Sequence, residues 1–193
     1  MGEGWLGERI VSTGASVIWI TGLSGAGKST VAAALVPRLR EKAPAVVHLD
    51  GDELREILGA ANLSDQNHGR AGRLALALRY AKLCRVVAQP GVTVVIATIS
   101  MFHEVHAWNR AHLPGYLEVY LRVPVDELRR RDPKGIYRRF DRGEIRDVAG
   151  LDLTVDEPLS PHLLIEPGPE STVDSIAGAI LNAWQTTAQE TQG

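Results

Sequence analysis

The chain of 193 residues has a single cysteine, Cys84, so no disulfide can form within it, and a lone thiol suits a reducing compartment. Cys84 sits inside an apolar helical stretch and reads as a buried structural thiol rather than a reactive one. No run of about 18 apolar residues occurs, which excludes a membrane-spanning helix. The opening MGEGWLGERIVSTGAS has neither the basic start nor the long apolar block of a secretory signal, so residues 1–15 read as a short lead-in and a cytoplasmic protein is expected. A surplus of one charge is also missing. With 21 Lys and Arg against 23 Asp and Glu the net charge is −2, which excludes broad adhesion to nucleic acid or to an anionic membrane. There is no internal repeat and no linker. The length suits one domain, 1–193, with a full core.

What is present is alternation. Five β-branched-rich runs stand out: SVIWIT (16–21), AVVHLD (45–50), VTVVIATI (92–99), YLEVYLRV (116–123) and HLLIE (162–166). Several are almost continuously apolar, as strands covered on both faces are. Helical patterns lie between them, over 28–40, 64–87 with Leu76, Tyr80, Leu83 and Val87 on one stripe, and from 125 to 131. A last helix over 173–184 follows Ser171-Thr172, which can cap it. Strand–helix alternation with such crossovers predicts an α/β fold: an open, parallel five-stranded sheet with helices on both faces. The stretch 129–148 is dense in arginine and aspartate. It is expected to lie over the surface, either as a lid above a ligand crevice or as a solvated charged helix.

The first run ends in Gly22-Leu23-Ser24-Gly25-Ala26-Gly27-Lys28-Ser29, a full match to the phosphate-loop pattern, set between a buried strand and an alanine-rich helix. Glycines let the backbone turn tightly so that successive N–H groups point at a polyphosphate, and the helix N-terminus adds partial positive charge. Residues Gly22 to Ser29, with Thr30, are thus the candidate ATP site. Lys28 reaches the β- and γ-phosphates, and the Ser29 hydroxyl is a candidate Mg²⁺ ligand. The second run ends in LDGDELR, 49–55. Ligands in open α/β sheets sit beyond the carboxyl ends of strands, so Asp50 and Asp52 are expected to face the same crevice. A carboxylate there orients Mg²⁺, the role considered for Asp50, or accepts a proton from an attacking hydroxyl. Arg55, one helical turn beyond Asp52, is placed to hold an anionic group of the acceptor.

GLSGAGKST, LDGDELR, ATIS with Phe102, RDPKGIYRR and GEIRDVAGLD follow in the order and spacing of adenylylsulfate kinases, and the resemblance extends over about residues 17–183. It implies an adenylate-kinase-like P-loop fold and transfer of the ATP γ-phosphate, with Mg²⁺, to the ribose 3′-hydroxyl of a small-molecule nucleotide acceptor. It further implies that Asp50 and Asp52 lie beside the accepting hydroxyl and the metal. Arg55, Ile99, Ser100 and Phe102 fall at acceptor-pocket positions. Ser100 matches a serine considered in the family as a phosphoserine intermediate, but in-line transfer needs none, so a pocket wall is the expected role. The run RRRDPKGIYRR becomes the lid, with Arg131 stacking on the ATP base and Lys134 adding charge over the phosphates. Such enzymes are commonly homodimers.

The departures from the family pattern concentrate at the acceptor. The two stacking phenylalanines are Leu63 and Val148, the arginine is His68, and the asparagine is Ala71, while Arg70 offers charge from a shifted position. Base–aromatic stacking is worth about 1–3 kcal/mol per base, so losing both faces of a sandwich weakens an adenine acceptor by orders of magnitude. ISMFHEVHAWNR and GEIRDVAGLD also resemble the branch that phosphorylates cytidine diphosphoramidate. A non-sulfate nucleotide is therefore the expected acceptor, with ordinary adenylylsulfate kinase activity the alternative. A kinase for another small metabolite, such as a sugar acid, and a non-catalytic nucleotide-binding module are further alternatives, disfavoured because the catalytic set is intact. His103 and His106, flanking Glu104, are expected to be solvated or to line the crevice rather than to bind metal.

Overall fold

The computed structural model describes residues 16–59 and 69–190. Strands β1 (Ser16–Thr21), β2 (Val46–Asp50), β3 (Thr93–Ala97), β4 (Tyr116–Leu121) and β5 (Leu163–Ile165) form one sheet in the order β2-β3-β1-β4-β5. Every pairing is parallel. Period-2 alternation sends Ile18 and Ile20 of β1 to one face and Val17 and Trp19 to the other. The first face packs on α1 (Lys28–Arg40) and α7 (Val173–Glu190) through Leu35, Leu39, Ile180 and Trp184. The second packs on α2 (Gly51–Gly59), α3 (Arg70–Ala88) and α4 (His103–His112) through Leu54, Tyr80, Cys84 and Val105. Both faces are covered, which is why the strand sequences show little alternation of polarity.

The predicted strands all exist, β1 at its predicted bounds and the other four with shorter ends. β3 stops two residues before Ile99 because the chain turns there into the crevice, where Ser100 adopts a φ of 30°. Helix α3 is described only from Arg70, so the predicted start at Ser64 lies outside the described residues. Its buried stripe is Leu76, Ala77, Tyr80, Ala81, Cys84 and Ala88, while Leu83 and Val87 are half-buried at its margin. Helices α2, α4 and α6 (Ile136–Asp141) go beyond the predicted set. Two of the three buried residues of α4, His106 and Asn109, are polar, so no apolar period marks that helix. Thr172 caps α7 as expected: its Oγ1 accepts the N–H of Ser175 at 3.0 Å.

The segment 129–148 is not wholly superficial. Helix α5 (Val125–Arg131) buries Leu128, α6 buries Tyr137 in the core, and Asp132 between them is also buried. Asp132 accepts the backbone N–H groups of Tyr137 and Arg138, both at 3.1 Å, which fastens the α5–α6 corner. Among the described residues no helix is long and apolar enough to cross a membrane.

Candidate active site

The loops after β1, β2 and β3 open at one end of the sheet. Gly22 closes β1 against β4: a Cβ there would lie 2.5 Å from the carbonyl oxygen of Leu121, so only glycine fits. Gly27, at φ 92°, takes the left-handed turn that starts α1. Between them the loop folds on itself, with Ala26 N–H donating to the Leu23 carbonyl at 3.2 Å. Lys28 Nζ donates to the same carbonyl at 2.8 Å. Burial, reinforced by the neighbouring Lys134, pulls the Lys28 ammonium down to about 8 against the opposing effect of Asp52 and Asp50.

Ser29 Oγ donates to Asp50 Oδ2 at 2.6 Å, and the Asp52 N–H donates to Asp50 Oδ1 at 2.8 Å. Partial burial alone would raise the Asp50 pKa. The bonds from Ser29 and from the backbone N–H groups of Asp52 and Glu53, with help from Lys134, instead hold the carboxyl below the usual carboxylate range. Asp52 pairs with Lys134 across the crevice. The 129–148 segment is therefore docked on the phosphate loop, and Tyr137 Oη adds a 2.9 Å bond to the Ser24 carbonyl. Arg131 donates through Nε to Glu127 one turn back, at 2.7 Å.

On the acceptor side, Arg55 extends from α2 toward Tyr80 and Arg73 of α3. Tyr80 Oη also donates to the Gly51 carbonyl at 3.2 Å. Burial, and then the like charge of Arg55, lowers the Arg73 pKa against the opposing effect of Asp147 and Asp152. Thr21 Oγ1 donates to the Ile99 carbonyl, and Ser100 Oγ shares a 2.8 Å hydrogen bond with Thr98 Oγ1. Arg70 is not free to supply charge to a ligand. Its Nη2 donates to Asp156 Oδ2 at 2.7 Å, and it approaches Glu104 at 3.4 Å. Its guanidinium carbon lies 5.1 Å from the centroid of the Phe102 ring. Val148 is buried to 8 % exposure in a turn that packs on the phosphate loop. Leu63 and His68 lie outside the described residues.

The two histidines part company: His103 is solvated as expected, and His106 is not. His103 is exposed, with its N–H donated to Asp156 Oδ2 at 3.1 Å and Nε2 at 3.1 Å from the Glu157 carbonyl. His106 is buried, and its Nδ1 lies 3.5 Å from a Glu118 Oε1 that is itself fully buried. Burial, then the charge of Arg110, takes His106 down to about 4, so it is a neutral core residue at ordinary pH. Among the described residues no group of three or more His, Cys, Asp or Glu side chains is placed to hold a metal ion. Arg73 and Asp152 are the site residues that sequence reasoning missed. Arg73 acts on a backbone carbonyl 74 positions away, and Asp152 on backbone N–H groups four and five residues before it, contacts that no sequence pattern announces.

The family described as adenylylsulphate kinase matches residues 14–166. Among characterised relatives, the cytidine diphosphoramidate kinase of Campylobacter jejuni is 42 % identical over 142 residues, covering 74 % of this chain and 81 % of that one. The adenylyl-sulfate kinase of Pseudomonas aeruginosa is 38 % identical over 153 residues, 78 % of this chain and 76 % of that one. The Mycobacterium tuberculosis APS kinase, solved in complex with AMPPNP and APS, superposes with a TM-score of 0.78 at 31 % identity, covering 89 % of this chain and 98 % of that one.

Proposed function

The chain belongs to the adenylylsulfate kinase family and is an ATP-dependent phosphotransferase, and from that premise we propose that its acceptor is a 5′-activated nucleotide other than adenylyl sulfate. Cytidine diphosphoramidate, the substrate named for the Campylobacter relative, is the first choice. The observation that carries this reading is the character of the acceptor walls. Val148 presents an aliphatic surface, and Phe102 carries the Arg70 guanidinium over its ring, so neither offers a free aromatic face to a purine. A pyrimidine has less area to cover and is held by apolar contact at lower cost.

The chemistry follows from the other side of the crevice. Phosphoryl transfer needs positioning and charge neutralisation more than covalent help. The loop N–H groups and Lys28 hold the β- and γ-phosphates. The acceptor's 3′-oxygen attacks the γ-phosphorus in line, and the bond to the β–γ bridging oxygen breaks. The proton of the attacking hydroxyl passes to a carboxylate at the β2–α2 junction, and Asp52 is the candidate because Asp50 is held by Ser29 and two backbone N–H groups while the partner of Asp52, Lys134, is an exposed side chain. An anionic Asp50 oxygen paired with a serine hydroxyl is the hard-oxygen donor set that suits Mg²⁺. Ser29 and Asp50 would hold that ion, and its charge would offset that of the γ-phosphate. Arg55, with Arg73 beside it, would take the acceptor's 5′-anhydride, a role supported by the nearness of the two guanidinium groups.

The second reading is an adenylylsulfate kinase, favoured by the Pseudomonas and Mycobacterium relatives. A panel of 5′-activated nucleotides, incubated with ATP and Mg²⁺, tests the proposal by ADP release and by mapping the new phosphate. The expected product carries phosphate on the ribose 3′-hydroxyl of a non-sulfate nucleotide. Phosphate delivered only to a sugar acid or only to water contradicts it.

A further inference from the structure

The turn 147–153 is built on a charge that the transfer chemistry does not use. Asp147 is a non-glycine residue at φ 58°, a conformation that needs outside support. The support is Asp152, whose Oδ2 accepts the Asp147 N–H at 2.9 Å and whose Oδ1 accepts the Val148 N–H at 2.7 Å. Partial desolvation opposes ionisation of Asp152, but these backbone donors, its own N–H and the nearby Arg73 keep its carboxyl below the usual range. From the other side Arg73 Nη2 donates to the Asp147 carbonyl at 2.5 Å, tying the turn to helix α3 across 74 positions of sequence.

The far end of the same turn presses on the nucleotide site. A Cβ on Gly150 would meet the Leu23 side chain at 2.7 Å, so backbone and side chain are in direct contact there. Leu23 is the residue whose carbonyl accepts both Ala26 N–H and Lys28 Nζ. A continuous packed route therefore runs from α3, through Arg73, Asp147 and Asp152, to Gly150, Leu23 and Lys28.

We propose that Asp152 is a positioning residue that holds the Val148 wall of the acceptor pocket and couples it, through Gly150 on Leu23, to the phosphate loop. Occupancy of one substrate site then stiffens the other, and by linkage the effect is reciprocal. This rests on the reading of the crevice as a phosphoryl-transfer site, but not on which nucleotide accepts. Asp152→Asn keeps the shape and removes the charge. Leu23→Ala keeps the Asp152 bonds and removes the contact.

The test is hydrogen exchange with Mg²⁺ and AMP-PNP as the only ligand, so that it is independent of the acceptor. In the wild type AMP-PNP slows exchange in both the phosphate loop and the turn 147–153. In Asp152→Asn the loop is still protected by bound AMP-PNP and the turn is not, and in Leu23→Ala, at AMP-PNP concentrations that saturate that variant, the turn is likewise unprotected. Steady-state kinetics with adenylyl sulfate and with cytidine diphosphoramidate, each in turn, then gives a KM for the better acceptor raised about tenfold or more in Asp152→Asn, with a smaller change in KM for ATP. Asp152→Glu, which retains the charge, recovers part of that loss. Protection of the turn by AMP-PNP in both variants, or absence of such protection in the wild type, overturns the coupling. Failure of the wild type to turn over any nucleotide acceptor, with the exchange pattern intact, counts against the proposed substrate and leaves the coupling standing.

Discussion

At the scale of single residues the site is a set of charges whose values are set by their neighbours. Lys28 is pulled down to about 8 by burial and by Lys134, yet binding a polyphosphate requires its charged form. The proton is therefore present below about pH 8 and lost above it, so affinity for Mg·AMP-PNP should decline as pH rises through that value. Titration calorimetry between pH 7 and 9.5 checks this, and Lys28→Arg, which cannot deprotonate in that range, should flatten the profile. Lys28→Ala should lower kcat by about 10²-fold or more while the fold survives. Asp50→Asn and Asp52→Asn should lose turnover while largely retaining affinity for AMP-PNP, because the phosphates are held by the loop rather than by β2. Wild-type rates in both Asn variants would remove the acid–base and metal roles together. These residues were legible in the sequence because contiguous patterns carry them. Arg73 and Asp152 were not, since each works on a backbone group and the Arg73 contact spans 74 positions. His106, expected to be solvated or to line the crevice, is buried, and this was not legible for a similar reason: a histidine facing Glu118 from a partly polar helix has no apolar period to announce its burial.

At the scale of elements, the 129–148 segment is the proposed lid. Its charge density was visible in the sequence, but its anchors, Asp132, Tyr137 and Val148, were not, because three buried residues among many charges leave no pattern. The Lys134–Asp52 pair and the Tyr137–Ser24 bond join this segment to the crevice without ligand. The Lys134–Asp52 pair is a single contact between exposed groups, of the kind that opens locally at modest cost. Limited proteolysis should cleave 129–148 readily in the free protein and slowly when AMP-PNP and acceptor are bound together. Equal rates with and without ligands would deny it the role of a lid. Tyr137→Phe removes one hydrogen bond to the loop and should cost about 1 kcal/mol of stability, measured by urea denaturation.

At the scale of the whole molecule, the parallel order β2-β3-β1-β4-β5 puts the carboxyl ends of β1, β2 and β3 side by side, so one sheet end collects phosphate loop, carboxylates and acceptor walls. That architecture was readable from strand–helix alternation, whereas strand ends and the short helices α2 and α6 were set by local contacts such as that of Gly51 against Thr98. Cys84, buried under the sheet with its thiol pushed up to about 12, should be unreactive toward thiol reagents in the native state and label only on unfolding. The central claim is that an intact ATP side serves a rebuilt acceptor side. It is tested most directly by offering cytidine diphosphoramidate and adenylyl sulfate together with ATP and Mg²⁺, and reading the ratio of kcat/KM from the two 3′-phosphorylated products. The account predicts preference for cytidine diphosphoramidate by at least about tenfold, roughly 1.4 kcal/mol in transition-state binding. Preferred turnover of adenylyl sulfate would contradict it.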